Sequence, residues 1–110
     1  MTKNIIYTAS APEPIGPYSQ AVLAGNTLYV SGQIAIDAHT NTLVNENIEL
    51  ETAQVLKNMR SILQAAGFDF EHVVKCTIFL KDFNDFATVN AIYGKAFTTQ
   101  APARETVEVS

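Results

Sequence analysis

Residues 47–67, NIELETAQVLKNMRSILQAAG, form the stretch that every other part of the chain must accommodate. Ile48, Thr52, Val55, Leu56, Met59, Ile62, Leu63 and Ala66 recur at steps of three and four, which places them along one side of a helix. Glu51, Gln54, Lys57, Asn58, Ser61 and Gln64 are expected on the other side. Asn47 is positioned to cap the first turn, where Glu49 and Glu51 complement the positive end of the helix dipole. Gly67 can adopt the left-handed conformation that stops a helix. A helix with one apolar stripe needs an apolar bed, and the strands on either side of it in sequence are the only candidates.

The 110 residues suffice for one domain with a core, expected to span 1–110. Hydrophobic residues make up 47% and charged residues 16%, a composition that buries a core and does not stay disordered. The net charge of −4, with only seven scattered basic residues, argues against a nucleic-acid surface. The single cysteine, Cys76, excludes an internal disulfide and fits a reducing compartment. No apolar run approaches a membrane span, and MTKNIIYT is too short an apolar run for a secretory signal. A soluble cytoplasmic protein without a membrane partner is expected.

Asn4–Thr8 reads as an edge strand. Ala9–Pro17 (ASAPEPIGP) follows, and its prolines and glycine forbid helix and strand alike. It is a stiff loop, either a connector or a cleft wall that projects Tyr18. Tyr18–Ala24 and Thr27–Ser31 read as strands joined by a Gly25-Asn26 hairpin turn that needs positive φ. Gly32 ends the second strand, Ile34 and Ile36 continue the apolar pattern, and Asp37–Thr42 is a turn. After the first helix, Val73–Leu80 is a strong strand with Val74, Cys76, Ile78 and Leu80 on the face that seats the helix. Cys76 there reads as a small buried hydrophobe. A second helix, Asp85–Thr98, carries the stripe Phe86, Val89, Tyr93 and Phe97. Asn90 lies within that stripe and needs a partner if buried. Gly94 costs about 1 kcal/mol against alanine in a helix interior, which suggests close packing. Arg104–Val109 is the last strand, with Arg104, Thr106 and Glu108 on one face and Glu105, Val107 and Val109 on the other. The order β-β-β-α-β-α-β predicts an α/β (α+β) domain with one mixed sheet and both helices on one face. The opposite face, bearing Val73, Thr77 and Phe79, is then half apolar and calls for cover by other subunits.

No phosphate-binding loop, dinucleotide fingerprint, nucleophile elbow or zinc-protease helix is present. Two separated histidines and one cysteine do not build a familiar zinc site. What remains is Arg104, which follows Pro102 and opens a strand. A guanidinium there can grip a carboxylate with two parallel hydrogen bonds, or simply form a surface ion pair, the commoner outcome for an arginine taken alone.

Several stretches together resemble the reactive intermediate deaminase family, the RidA or YjgF-type proteins. They are IGPYSQAV (15–22), SGQIAID (31–37), the first helix ending in QAAG, KCTIFLKDFNDFATVNAIYGKAF (75–97) and APARETVEV (101–109). The resemblance runs from about Ala11 to the last residue. It implies a chorismate-mutase-like fold and a homotrimer with three clefts between subunits. It also implies hydrolysis of 2-imino or enamine acids to 2-keto acids and ammonia, with neither metal nor organic cofactor. Arg104 matches the arginine that binds the substrate carboxylate. Tyr18, Ser31 and Gly32 match residues that line the same cleft, and Asn90 matches a characteristic asparagine of the second helix. The resemblance thus assigns Arg104, Tyr18 and Ser31 to catalysis, and Arg104, Gly32, Asn90 and Thr106 to substrate binding. Two other readings keep the same fold: a non-catalytic trimer that binds small carboxylates, and a ribonuclease or translation inhibitor, which the acidic balance disfavours.

The chain departs from the family pattern twice. Thr106 stands where many relatives have cysteine. Relatives also continue into a further strand whose glutamate positions the attacking water, and these 110 positions hold no counterpart. Glu108 cannot replace it, because strand rise puts it about 13 Å from Arg104. Either the sequence is incomplete at this end or the site works without that carboxylate; as far as these residues run, the domain is expected without that strand and with an unpaired sheet edge.

Overall fold

The apolar stripe of residues 47–67 becomes an 18-residue helix, α1 (Ile48–Ala65). Asn47 caps it by accepting a hydrogen bond from the Leu50 N–H at 2.8 Å. Gly67 takes φ +83° just beyond its end, and the Phe68 N–H returns to the Leu63 carbonyl. The computed structural model describes residues 2–110, so Met1 of the expected 1–110 domain lies outside the described residues.

Five short strands precede α1, and the first three are β1 (Lys3–Ile6), β2 (Ala21–Ala24) and β3 (Thr27–Val30). They form an antiparallel meander in which Ile6, Ala21 and Val30 are cross-strand neighbours. The β2–β3 turn is the expected Gly25-Asn26 pair, with Gly25 at φ +60°. Ile62, fully buried, packs from α1 onto Ala11, Ala21, Ile6, Leu28 and Val30. One residue out of phase, Ile5 and Tyr29 point to the opposite face and are exposed.

The stretch read as a plain turn, Asp37–Thr42, is the tip of a small hairpin between β4 (Ile36–Asp37) and β5 (Thr42–Leu43). Its attachment to α1 overturns one expectation. Asn58 does not lie on the polar side of the helix: it is buried at 1% exposure. Its Nδ2 donates to the Ile34 and Ile36 carbonyls at 3.1 and 2.8 Å, and its Oδ1 accepts from Gln54 Nε2. The amide is fully engaged, which makes its burial tolerable.

After α1 come β6 (Lys75–Leu80), α2 (Phe86–Ala96) and β7 (Ala103–Glu108). β6 and β7 pair in parallel, with Cys76 opposite Arg104 and Ile78 opposite Thr106. Residues Cys76, Ile78, Leu80, Arg104 and Thr106 are at least half-buried, while Thr77, Phe79, Glu105 and Val107 are exposed. Val74 departs from the expected helix-facing set: it precedes β6 and is 79% exposed.

The result is an α+β fold with two packed helices and antiparallel and parallel strand pairs together. The hydrogen bonding is divided, however, and not continuous as expected. It forms three ladders, β1-β2-β3, β4-β5 and β6-β7. Ladders merge only where strand edges come within the 4.7–4.9 Å hydrogen-bonding spacing, and among the described residues no strand fills the second edge of β3 or of β6. Also among the described residues, no helix is long and apolar enough to cross a membrane.

Candidate functional site

β7 delivers Arg104 to the helix side of its ladder, and α2 receives it. Phe86, Asn90 and Tyr93 are spaced at i, i+4 and i+7, so they project along one face of α2. The guanidinium carbon of Arg104 lies 4.9 Å from the centre of the Tyr93 ring and 5.6 Å from that of Phe86. Its Nη1 donates to Asn90 Oδ1 at 2.7 Å. Cation–π attraction and one neutral acceptor thus hold the fork in place. The ion pair that an isolated arginine usually finds does not form. Among the described residues, the salt bridges are Arg60–Asp69 and Lys75–Glu105, and none involves Arg104. Glu108 is occupied elsewhere, accepting from the Phe83 N–H at 2.8 Å. A half-buried cation with no carboxylate partner is a seat for an anion, and its planar fork suits a carboxylate.

A cleft of about 410 Å3 opens beside this seat, lined by Asn90, Tyr93, Gly94, Phe97, Ala101, Pro102 and Arg104. Burial, with the neighbouring Cys76 thiol, holds Tyr93 ionisation well above the ordinary phenol value. Its hydroxyl sits by that thiol without a well-formed hydrogen bond. The unfolded phenol ionises near pH 10 and the folded one higher, so the unfolded state sheds its proton first. Stability is therefore complete below about pH 10 and falls as pH rises beyond it. Chemical denaturation at pH 9, 10 and 11 should show that slope, and Tyr93→Phe should flatten it. Thr106, two residues along the same side of β7, has a buried hydroxyl without a partner among the described residues.

Tyr18, Ser31 and Gly32 are gathered elsewhere, and none of them lines the Arg104 cleft. The Ser31 hydroxyl donates to the Ser19 carbonyl at 2.6 Å, and its N–H donates to the Gln20 carbonyl. This fastens the end of the proline-rich loop to β3. Tyr18 is 52% exposed, its ring folded over Gly16. Gly32 is exposed and open: apart from its chain neighbours, no atom of the described residues lies within 4 Å of where a Cβ would stand. The residues singled out in the sequence therefore fall into two separate groups, Arg104–Asn90–Thr106 and Tyr18–Ser31–Gly32.

Three contributors went unread in the sequence. Gln20 is 3% exposed, and its amide clasps the loop through the Thr8 N–H and the Thr8, Ala11 and Pro12 carbonyls. Its place next to a proline-rich loop was the available signal, because a loop without regular structure must satisfy its backbone through side chains. Phe86 and Tyr93 were read only as core stripe, and a stripe interrupted by Asn90 was the clue that it faces something charged. Asn90 itself is exposed, not buried, and its partner is Arg104. A second cleft, of about 310 Å3, contains Arg60 and Lys95, but Asp69 already holds Arg60 at 3.2 Å. Among the described residues, no group of three His, Cys, Asp or Glu side chains is placed to hold a metal ion.

Comparison with known proteins bears on this arrangement. A RutC family protein of Pyrococcus horikoshii is 51% identical over 108 residues, covering 98% of this chain and 86% of that one. The human 2-iminobutanoate/2-iminopropanoate deaminase is 50% identical over 110 residues, covering all of this chain and 80% of that one. The crystal structure of YyfA, a protein of the conserved Rid family from Yersinia pestis, superposes with a TM-score of 0.97 at 48% identity, covering 99% of this chain and 87% of that one. With residues 8–110 also matching the family model described as Endoribonuclease L-PSP, the chain belongs to that family, the YjgF/RidA-type proteins.

Proposed function

We propose that this protein hydrolyses reactive 2-imino acids, such as 2-iminobutanoate and 2-iminopropanoate, to 2-keto acids and ammonia, in clefts between the subunits of a cytoplasmic homotrimer. The observation that carries the reading is Arg104, oriented by Asn90 and Tyr93 with no carboxylate partner among the described residues. The similarity to the human protein named as such a deaminase supports the substrate class.

The chemistry requires little beyond placement. Arg104 grips the substrate carboxylate and fixes the imine carbon next to it. Water adds across the C=N bond to give a tetrahedral carbinolamine, the nitrogen gains a proton, and ammonia leaves as the C=O bond forms. The Ser31 proton is engaged by the Ser19 carbonyl, so its oxygen is left as an acceptor that can orient water. Donation to the developing charge then falls to the Tyr18 hydroxyl and the Gly32 N–H. These belong to the Tyr18–Ser31–Gly32 group, so a complete site requires two copies of the chain. Exposed Ile5, Tyr29, Phe79 and Val107, on the sheet faces away from the helices, support such assembly.

A carboxylate-binding module without turnover uses the same seat, and it is supported by the absence, among the described residues, of an acidic side chain lining the Arg104 cleft that could activate water. The net charge of −4 counts against RNA as a partner. The deciding experiment is ammonia release from freshly generated 2-iminobutanoate, alongside the solution mass. Accelerated release by a trimer is expected. A trimer that binds 2-oxobutanoate but leaves imine decay at its spontaneous rate would replace the enzyme with the binding module.

A further inference from the structure

Gly94 sits in the interior of α2, where glycine is the poorest helix former apart from proline. Close packing would explain it, but among the described residues there is none: apart from its chain neighbours and the backbone of its own helix, a Cβ at Gly94 would meet no atom within 4 Å. Its φ is not in the left-handed region, so the backbone does not require glycine either. What Gly94 does touch is the Arg104 cleft. It lies four residues after Asn90, on the same face of α2, and forms part of the wall.

We infer that Gly94 is a specificity-determining residue, whose missing side chain keeps the cleft open for the substituent of the acid held by Arg104. The inference rests on the carboxylate-binding reading above and extends it to a class of ligand. The cleft is open, and at Gly94 no side chain of the helix closes it. The walls beyond the guanidinium are Tyr93, Phe97, Ala101 and Pro102, apolar or aromatic, with no further charge. The chemistry that fits is a 2-imino or 2-keto acid with a branched or aromatic apolar substituent. Its carboxylate lies on Arg104, and its side chain runs along Gly94 toward Phe97.

The test measures binding of two stable keto acids, pyruvate and 4-methyl-2-oxopentanoate, by calorimetry to the intact assembled protein and to the Gly94→Ala and Gly94→Leu variants. Each added group occupies the space of the larger substituent, so the affinity ratio should shift toward pyruvate. About threefold is expected for Gly94→Ala and tenfold or more for Gly94→Leu. Gly94→Ala should also raise Tm by about 2–6 °C, since alanine is the better helix former. The alanine variant keeps the test decisive if leucine disturbs the fold. A ratio within a factor of 1.5 of the parent in Gly94→Ala and within twofold in Gly94→Leu overturns the inference while leaving the carboxylate-binding reading intact. So does a fall in Tm or a loss of assembly in Gly94→Ala, which would make Gly94 a packing contact between copies. Failure of the parent protein to bind either acid removes the functional reading, and this inference with it.

Discussion

Replacing Arg104 by alanine should abolish carboxylate recognition and lower kcat/KM for imine hydrolysis by about 10²–10³-fold. Each charge-assisted hydrogen bond to a carboxylate contributes roughly 1.5–3 kcal/mol, and the fork makes two. A loss of about 3–4 kcal/mol corresponds to the stated factor at 1.4 kcal/mol per decade. The fold should survive. Asn90, which loses its partner, is exposed and can turn to water, and no ion pair is broken. Arg104→Lys separates charge from shape. It keeps the cation but loses the planar fork and the stacking on Tyr93 and Phe86, so it should recover only part of the loss. Titration of each variant with 2-oxobutanoate, together with the ammonia assay, measures both effects. Arg104→Ala retaining full hydrolysis would move the site elsewhere in the molecule.

The largest effect on stability outside the apolar core is expected at Asn58. Asn58→Leu keeps similar volume but leaves the Ile34 and Ile36 carbonyls without their donor. Unsatisfied acceptors in such a setting cost about 1–3 kcal/mol each, and partial access to water reduces the sum to about 2–3 kcal/mol. For a chain of this length that is a fall of about 10–15 °C in Tm. Asn58→Asp should be worse at neutral pH, because it turns a buried carboxylate toward two carbonyl oxygens. Hydrogen exchange should localise the damage. The β4–β5 hairpin is tied to α1 through this amide, so amides from Ile36 to Val44 should lose protection before those of β2 and β3. An Asn58→Leu protein with parental Tm would show that the hairpin is held by other contacts.

Local rules reached a definite part of this architecture. Apolar spacing located α1 to within two residues, and Asn47 and Gly67 stand at its two ends as cap and stop. The Gly25-Asn26 turn was legible because positive φ at its first residue selects glycine. Alternation in β6 separated its helix-facing side from its exposed side, except at Val74, which the strand does not include. Asn58 was misassigned because periodicity counts an amide as polar and sends it to water. Whether it is buried depends on which carbonyls the hairpin brings opposite it, and these lie 22 and 24 residues away. The division of the strands among three ladders was likewise not legible, because strand order in the chain does not say which edges meet.

The candidate site divides along the same line. The sequence by itself singled out Arg104 and the residues matching the family pattern, because side-chain chemistry and a specific order of motifs are local properties. Tertiary structure alone decided that Arg104 faces α2 and not another charge. It also set Ser31 to hold a loop, and left Tyr18, Ser31 and Gly32 outside the Arg104 cleft. The physical reason is distance along the chain. Periodicity and capping are settled within a few residues by backbone geometry, whereas a guanidinium's partners are settled by whichever elements pack against it in space.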